Sequence, residues 1–193
     1  MADCAINDYN TYKGIEEFPY YIIKYLFSNE TIWRLIAYDD SDALSTDKPD
    51  LTASEKVKLI WAGTLTEDGD IDSSKYRVFQ QPLTDDSFGV RNTQLRVYQR
   101  EIIPTDRIKS VVLLTIEIVT TAKINGLNDT RKTRISALHQ ELLSMLNGAK
   151  IGGISPLFLD KTGNTKTGSI MGLNNNKNYF GYSITIGTHV SSK

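Results

Sequence analysis

At 193 residues the chain supports one substantial hydrophobic core and leaves little room for a second. With 40% hydrophobic and 23% charged residues it has an ordinary globular composition, and a formal net charge of −1 supplies no global basic field for nucleic acid or an anionic membrane. The most apolar run, Val111 to Val119, is about half of the ~18–20 residues that a membrane span needs. The opening "MADCAINDYNTYKG" lacks the basic flank and apolar core of a secretory signal, and the single cysteine, Cys4, permits no internal disulfide. The expectation is synthesis in the cytoplasm.

The N-terminal third reads as helical. In "FPYYIIKYLFSN", Ile22, Ile23, Leu26 and Phe27 fall at helical spacing and Asn29 is a stop; "ETIWRLIAY" repeats the pattern with Ile32, Leu35 and Ile36. After the polar turn "DDSDALSTDKPDL", Thr52 and Glu55 form a capping box that opens a helix through "ASEKVKLIWA", which Gly63 can end. "TLTEDGDIDSS" has the polarity of an exposed loop.

Strands follow. "KYRVFQQ" is short; "TQLRVYQREII" alternates Leu95 and Val97 with Arg96, Tyr98 and Arg100, and Pro104 closes it. "KSVVLLTIEIVTTAKI" is long, β-branched and expected to be central. "TRKTRISALHQELLSMLNG" is the main helix, with Ile135, Leu138, Leu142, Met145 and Leu146 on one stripe and Gly148 at its stop. "GGISPLFLD", "GSIMGL" and the closing "YFGYSITIGTHV" read as strands, separated by turns at "KTGNTKT" and "NNNKN". In the last strand Phe180, Tyr182, Ile184 and Ile186 share one face, and Gly181, Ser183, Thr185 and Gly187 the other.

This order predicts an α+β fold: one long helix packed on a largely antiparallel or mixed sheet, with a helical N-terminal region. Residues 1–74 hold that region and the exposed loop, and 75–193 the α+β core, together one compact domain. One helix covers one sheet face, so the small, nearly uncharged second face is expected to meet water or a partner.

No catalytic constellation is legible. The two histidines, His139 and His189, and Cys4 lack zinc-ligand spacing, and His139 reads as a helix-edge residue. Asp68, Asp70 and Asp72 imitate a calcium loop, but Ser73 and Phe79 occupy the positions that require glycine and glutamate. Cys4 has no neighbouring cation to activate it. Gly148, Gly152 and Gly153 follow a helix, at the wrong end of its dipole for a phosphate. Arg131, Lys132 and Arg134 oppose the dipole at the start of the main helix, which mildly favours an outside partner for them, although a solvated face is the plainer reading.

The sequence blocks "QLRVYQREIIP", "LLTIEIVTTAKI", "RISALHQELLSMLNGAKIGGISPLFLD" and "NKNYFGYSITIGTHV", in that order, resemble the neck and tail-terminator (tail-completion) proteins of tailed bacteriophages. "IIKYLFSNETIWRLIAYDD" with "DALS" and "PDLT" is similar to the helical N-terminal region of longer versions. The resemblance implies a virion protein of the neck or tail, without cofactor, metal or catalysis. Its implied form is a homo-oligomeric ring, usually a hexamer, that caps the tail tube and joins tail to head. The implied partners are other copies of the chain, the tail tube protein and the head–tail connector or head-closure protein. Genomic DNA would pass the lumen without specific binding, and no membrane is involved. The "TEDGDIDSS" insertion and helical N-terminus enlarge that plan, so a head-closure or other connector ring is the near alternative. From a different class comes a small cytoplasmic metal-dependent enzyme using the Asp39–Asp42 cluster. The expected partner contact is the loop Asn174, Asn175, Asn176 and Lys177, whose amides supply adaptable donors and acceptors.

Overall fold

The computed structural model describes residues 12–69, 71–72, 74–82, 92–128, 132–151, 155–159, 166–169 and 178–191. A 3-10 turn over Tyr12–Glu17 leads into α1 (Phe18–Tyr25), with Pro19 in its first turn, where the missing N–H costs nothing. A further 3-10 turn, Leu26–Ser28, brings the chain to α2 (Glu30–Ala37). Asn29 does more than stop the first helix. Its side chain accepts from the Ile32 N–H at 3.1 Å as the N-cap of α2, while its Nδ2 donates to Glu141 Oε2 at 2.8 Å. The predicted capping box is formed at α3 (Ala53–Lys58): Thr52 and Glu55 each bond the other's backbone N–H. That helix stops short of Gly63, because Ile60 leaves it to bridge Val78 and the Trp61 N–H donates to the Val78 carbonyl.

The sheet has five strands among the described residues: β1 (Val78–Phe79), β2 (Gln94–Pro104), β3 (Lys109–Thr121), β4 (Lys166–Ser169) and β5 (Tyr179–Ser191), in the order β1-β2-β3-β5-β4. All pairs are antiparallel except β1 with β2, so the sheet is mixed. β3 is central, as its β-branched composition predicts. β4 lies earlier than "GSIMGL" suggests and takes in residues that read as a turn. Its ladder to Tyr182–Thr185 decides its position, and its apolar content does not. The described residues of "GGISPLFLD" contribute the bridge between Phe158 and Gly187 and no strand.

The main helix, α4 (Arg134–Leu146), is capped by the Thr133 hydroxyl, and Gly148 follows it at φ 82°. Leu138, Leu142 and Leu146 are buried, with Ile135 and Met145 at the margin of the same stripe. They meet Val112, Leu114, Ile116 and Ile118 of β3, Ile184 and Ile186 of β5, and the apolar faces of α1 and α2 in one continuous core. The fold class is therefore α+β with a helical N-terminal region, and that region belongs to the same core as the sheet.

One side chain joins the two halves. Arg134, fully buried at the first turn of α4, donates to four backbone carbonyls: Ile124 at 2.9 Å, Leu35 at 2.5 Å, and Tyr38 and Asp40 at 2.6 Å. Leu35 and Tyr38 lie at the C-terminal end of α2, where carbonyls lack helical partners. The reading of Arg134 as a solvated or partner-seeking cation is thus corrected, because its partners are within the chain. Burial presses its pKa down, yet a guanidinium starts so high that it stays charged.

Two outcomes test this core. Arg134→Ala should lower unfolding stability by at least about 3 kcal/mol in denaturant titrations, with Arg134→Lys recovering only part, because one ammonium cannot reach four carbonyls. Leu142→Ala should cost about 2–5 kcal/mol by the same measurement.

Candidate assembly surfaces

The acidic cluster of the enzyme alternative sits in the turn after α2. Arg77 holds the Asp39 carboxylate through two hydrogen bonds of 3.1 and 2.9 Å. Lys48 Nζ lies 2.7 Å from Asp40 and 3.8 Å from Asp42. The hydrogen bond from Lys48 holds the Asp40 carboxyl below its ordinary range. Each carboxylate already faces a cation, so a metal would have to displace Lys48 and Arg77. Among the described residues no group of three metal-ligating side chains converges. In the next loop Asp72 accepts from the Ser74 N–H at 3.2 Å; Asp70, Cys4 and Arg131 lie outside the described residues.

The second sheet face differs from expectation. Much of it is buried within the chain, at Leu113, Thr115, Val119, Thr185 and Gly187, while Glu117 and Ser183 are half-buried and His189, at the end of the face, is exposed. Phe158 explains the region around Gly187. Two backbone bonds of 2.9 and 3.0 Å pair Phe158 with that glycine, and a Cβ on Gly187 would stand 2.7 Å from the phenyl ring. The smooth face of β5 is therefore filled by the chain's own ring at this point. On β2, Arg96 lies over Phe79, 4.3 Å from the ring centroid, and donates to the Pro82 carbonyl and Gln94 Oε1. Burial lowers its pKa to about 10, opposed by the charge of Glu117 opposite. Tyr98 donates to Glu117 at 2.9 Å, and burial together with that carboxylate raises the phenol well above its usual range.

Among the described residues Leu65 and Phe180 are exposed singly, and exposed apolar side chains also mark two further places. α1, α3 and the segment leading to β1 frame a cleft of about 190 Å³ lined by Tyr20, Phe27, Val57, Ile60 and Trp61. Val57 is 57% exposed at its edge. The other place is the far end of the β2–β3 hairpin, where Ile102 and Ile108 are exposed, Ile108 at 54%. The turn carrying Ile108 is held by Asp106, whose Oδ1 accepts from the Ile108 and Lys109 N–H groups, both at 2.8 Å. A β-bulge at Arg100 sets this end of β2. The extra residue reverses the strand's alternation, so Ile102, opposite Val112, lies on the side of the sheet that carries the helices nearer the middle of β2.

The predicted loop Asn174–Lys177 lies outside the described residues. Sequence reasoning missed the hairpin end and the cleft. Ile108 beside Asp106 was the available signal, an apolar residue inside a turn motif.

The model of the YomW family matches residues 29–188, from the cap of α2 through most of β5. The chain belongs to the YomW family. That name is a prophage protein's, which associates the chain with phage and specifies no place in the particle. The match includes α2, α4 and the whole hairpin but omits α1. Among curated proteins nothing matches the chain. No helix among the described residues is long and apolar enough to cross a membrane.

His139 offers a check on the helix-to-edge packing of this family member. Its Nε2 lies 3.1 Å from Thr167 Oγ1 on β4, and its ring packs on Tyr182 with centroids 4.2 Å apart. Burial lowers its pKa, so folding favours the neutral ring. Its contribution is full above the unfolded pKa of about 6.5 and is lost as pH falls from there towards the folded value. Denaturation midpoints between pH 7 and 5 should therefore fall more for the native chain than for His139→Gln.

Proposed function

We propose that this YomW-family chain is a structural virion protein of a tailed phage, a tail-terminator or neck ring that caps the tail tube and joins it to the head connector. The observation that carries the reading is the separation of two of its exposed apolar places, the cleft and the hairpin end. The Tyr20–Val57 cleft lies by the start of β2, where β1 pairs with Leu95 and Arg96, and Ile108 lies past its end. The intervening strand is on the order of 30 Å long. Unlike patches at opposite ends suit a heterologous contact, hairpin end into neighbouring cleft. Repetition of such a contact closes a ring when the rotation permits.

The family match and the α+β fold support a phage particle as the setting. On this reading the chain performs no catalysis and holds no cofactor. Its partners are its own copies, the tube protein and the connector, and its place is the neck of the virion. The ion-paired state of Asp39, Asp40 and Asp42 disfavours the metal-enzyme alternative.

Sedimentation velocity of the purified chain tests the assembly. The native protein should sediment as a ring, and Ile108→Glu and Val57→Glu should each reduce it to monomer with little change in melting temperature, since both side chains are exposed. A native chain that remains monomeric at high concentration, together with normal tails from a phage carrying either variant, would overturn the reading.

A further inference from the structure

The larger of the two described clefts, about 490 Å³, opens between the hairpin turn and the end of β5 and is lined by Thr105, Lys109, Ser155, His189, Val190 and Ser191. None of these described lining residues is acidic. Strand register brings the cations together: Lys109 pairs with Ser191 and Val111 with His189, which makes Lys109 and His189 diagonal neighbours on one face, about 7–8 Å apart. Both are exposed, and among the described residues neither has an ion-pair partner. The acidic group of this turn, Asp106, has its Oδ1 committed to the Ile108 and Lys109 amides.

The imidazole is held from behind. Gly187 makes room for Phe158, and the His189 ring stacks on Phe158 at 5.1 Å with an interplanar angle of 27°. The stack fixes the plane of His189 against the cleft wall and leaves its ring edge able to donate. Beside it stands the Ser191 hydroxyl, while Thr105 spends its hydroxyl proton on the Lys109 carbonyl. A compact ammonium, an imidazole and a hydroxyl, with no acidic side chain among the described lining residues, match the acceptor-only chemistry of a phosphate group.

We propose that this cleft is a phosphate-binding site in which Lys109 and His189 hold one phosphate between them and Ser191 donates a further hydrogen bond. The phosphate can belong to a nucleic-acid backbone or to a free anion. The inference is independent of the ring reading, because it concerns one chain.

The experiment is an NMR titration of the full chain, following the His189 ring signals with His139 as internal reference. The two probes are inorganic phosphate and a short DNA duplex, each compared with sodium chloride at matched ionic strength. The expected result is a saturable His189 shift with phosphate, duplex or both, weakened at least tenfold in Lys109→Gln. Isothermal titration should show the same loss for His189→Gln, with Lys58→Gln unchanged as the charge-matched control. A response to the duplex alone assigns the site to a nucleic-acid backbone, and one to phosphate alone to the free anion; either supports the site. No saturable shift with either probe, an equal shift with chloride, equal affinity in Lys109→Gln, or binding of polyglutamate in place of both probes would overturn it. Sedimentation of the same samples reports the ring separately, so the two readings fail independently.

Discussion

The architecture depends on how one buried guanidinium is satisfied. α2 ends against the buried Arg134, and a buried acceptor left unmet among the last carbonyls of the helix would cost about 1–3 kcal/mol. Arg134 reaches those carbonyls from the first turn of a helix about a hundred residues later and also secures the Asp40 turn and Ile124. The charge is tolerated in the interior because every bond goes to a carbonyl dipole, two of them at the end of α2, while the Asp40 carbonyl also accepts from the Ala43 N–H. Asn29 makes the complementary link, capping α2 at its other end while binding Glu141 of α4. The same two helices are thus fixed at two points, and their apolar faces close over the sheet between them.

Lys56 extends this scheme to α3. Its buried ammonium donates to the Phe27 carbonyl at 2.9 Å and pairs with Glu30, so the third helix is tied to the start of the second. Arg77 performs a similar task for the strand side by holding Asp39. The pattern is consistent. Cations of later segments hold the ends and turns of the N-terminal helices, which would otherwise leave polar groups unanswered against an apolar core.

What could be read in the sequence was what depends on neighbours in the chain. The Leu138–Leu142–Leu146 stripe, the Thr52–Glu55 box, Pro104 as a strand end and the alternation of Phe180 to Ile186 are local patterns, and each recurs in the fold. Arg134 was illegible because a cation at a helix start ordinarily reads as solvated, and its acceptors on α2 and the following turn lie 94 to 99 residues away. β4 was displaced because backbone pairing with β5 outweighs the apolar content of nearby residues. Phe158 could not be placed over Gly187 from composition, since glycine in a strand states only that something approaches closely. The hairpin end was invisible because a single extra residue, Arg100, breaks the alternation on which a strand's faces are assigned.

That extra residue has a second consequence. β1 pairs only with Leu95 and Arg96, so beyond them no described strand covers the outer side of β2. An open edge of that length invites unlimited lateral addition of further chains, the growth mode of amyloid. Here the edge carries a bulge, the charged pair Arg100 and Glu101, and a terminal Pro104, three independent obstacles to a continuing hydrogen-bond ladder. Backbone-templated growth is thereby hindered on this side, and in the proposed ring contacts between copies would fall to side chains, whose number and geometry are finite.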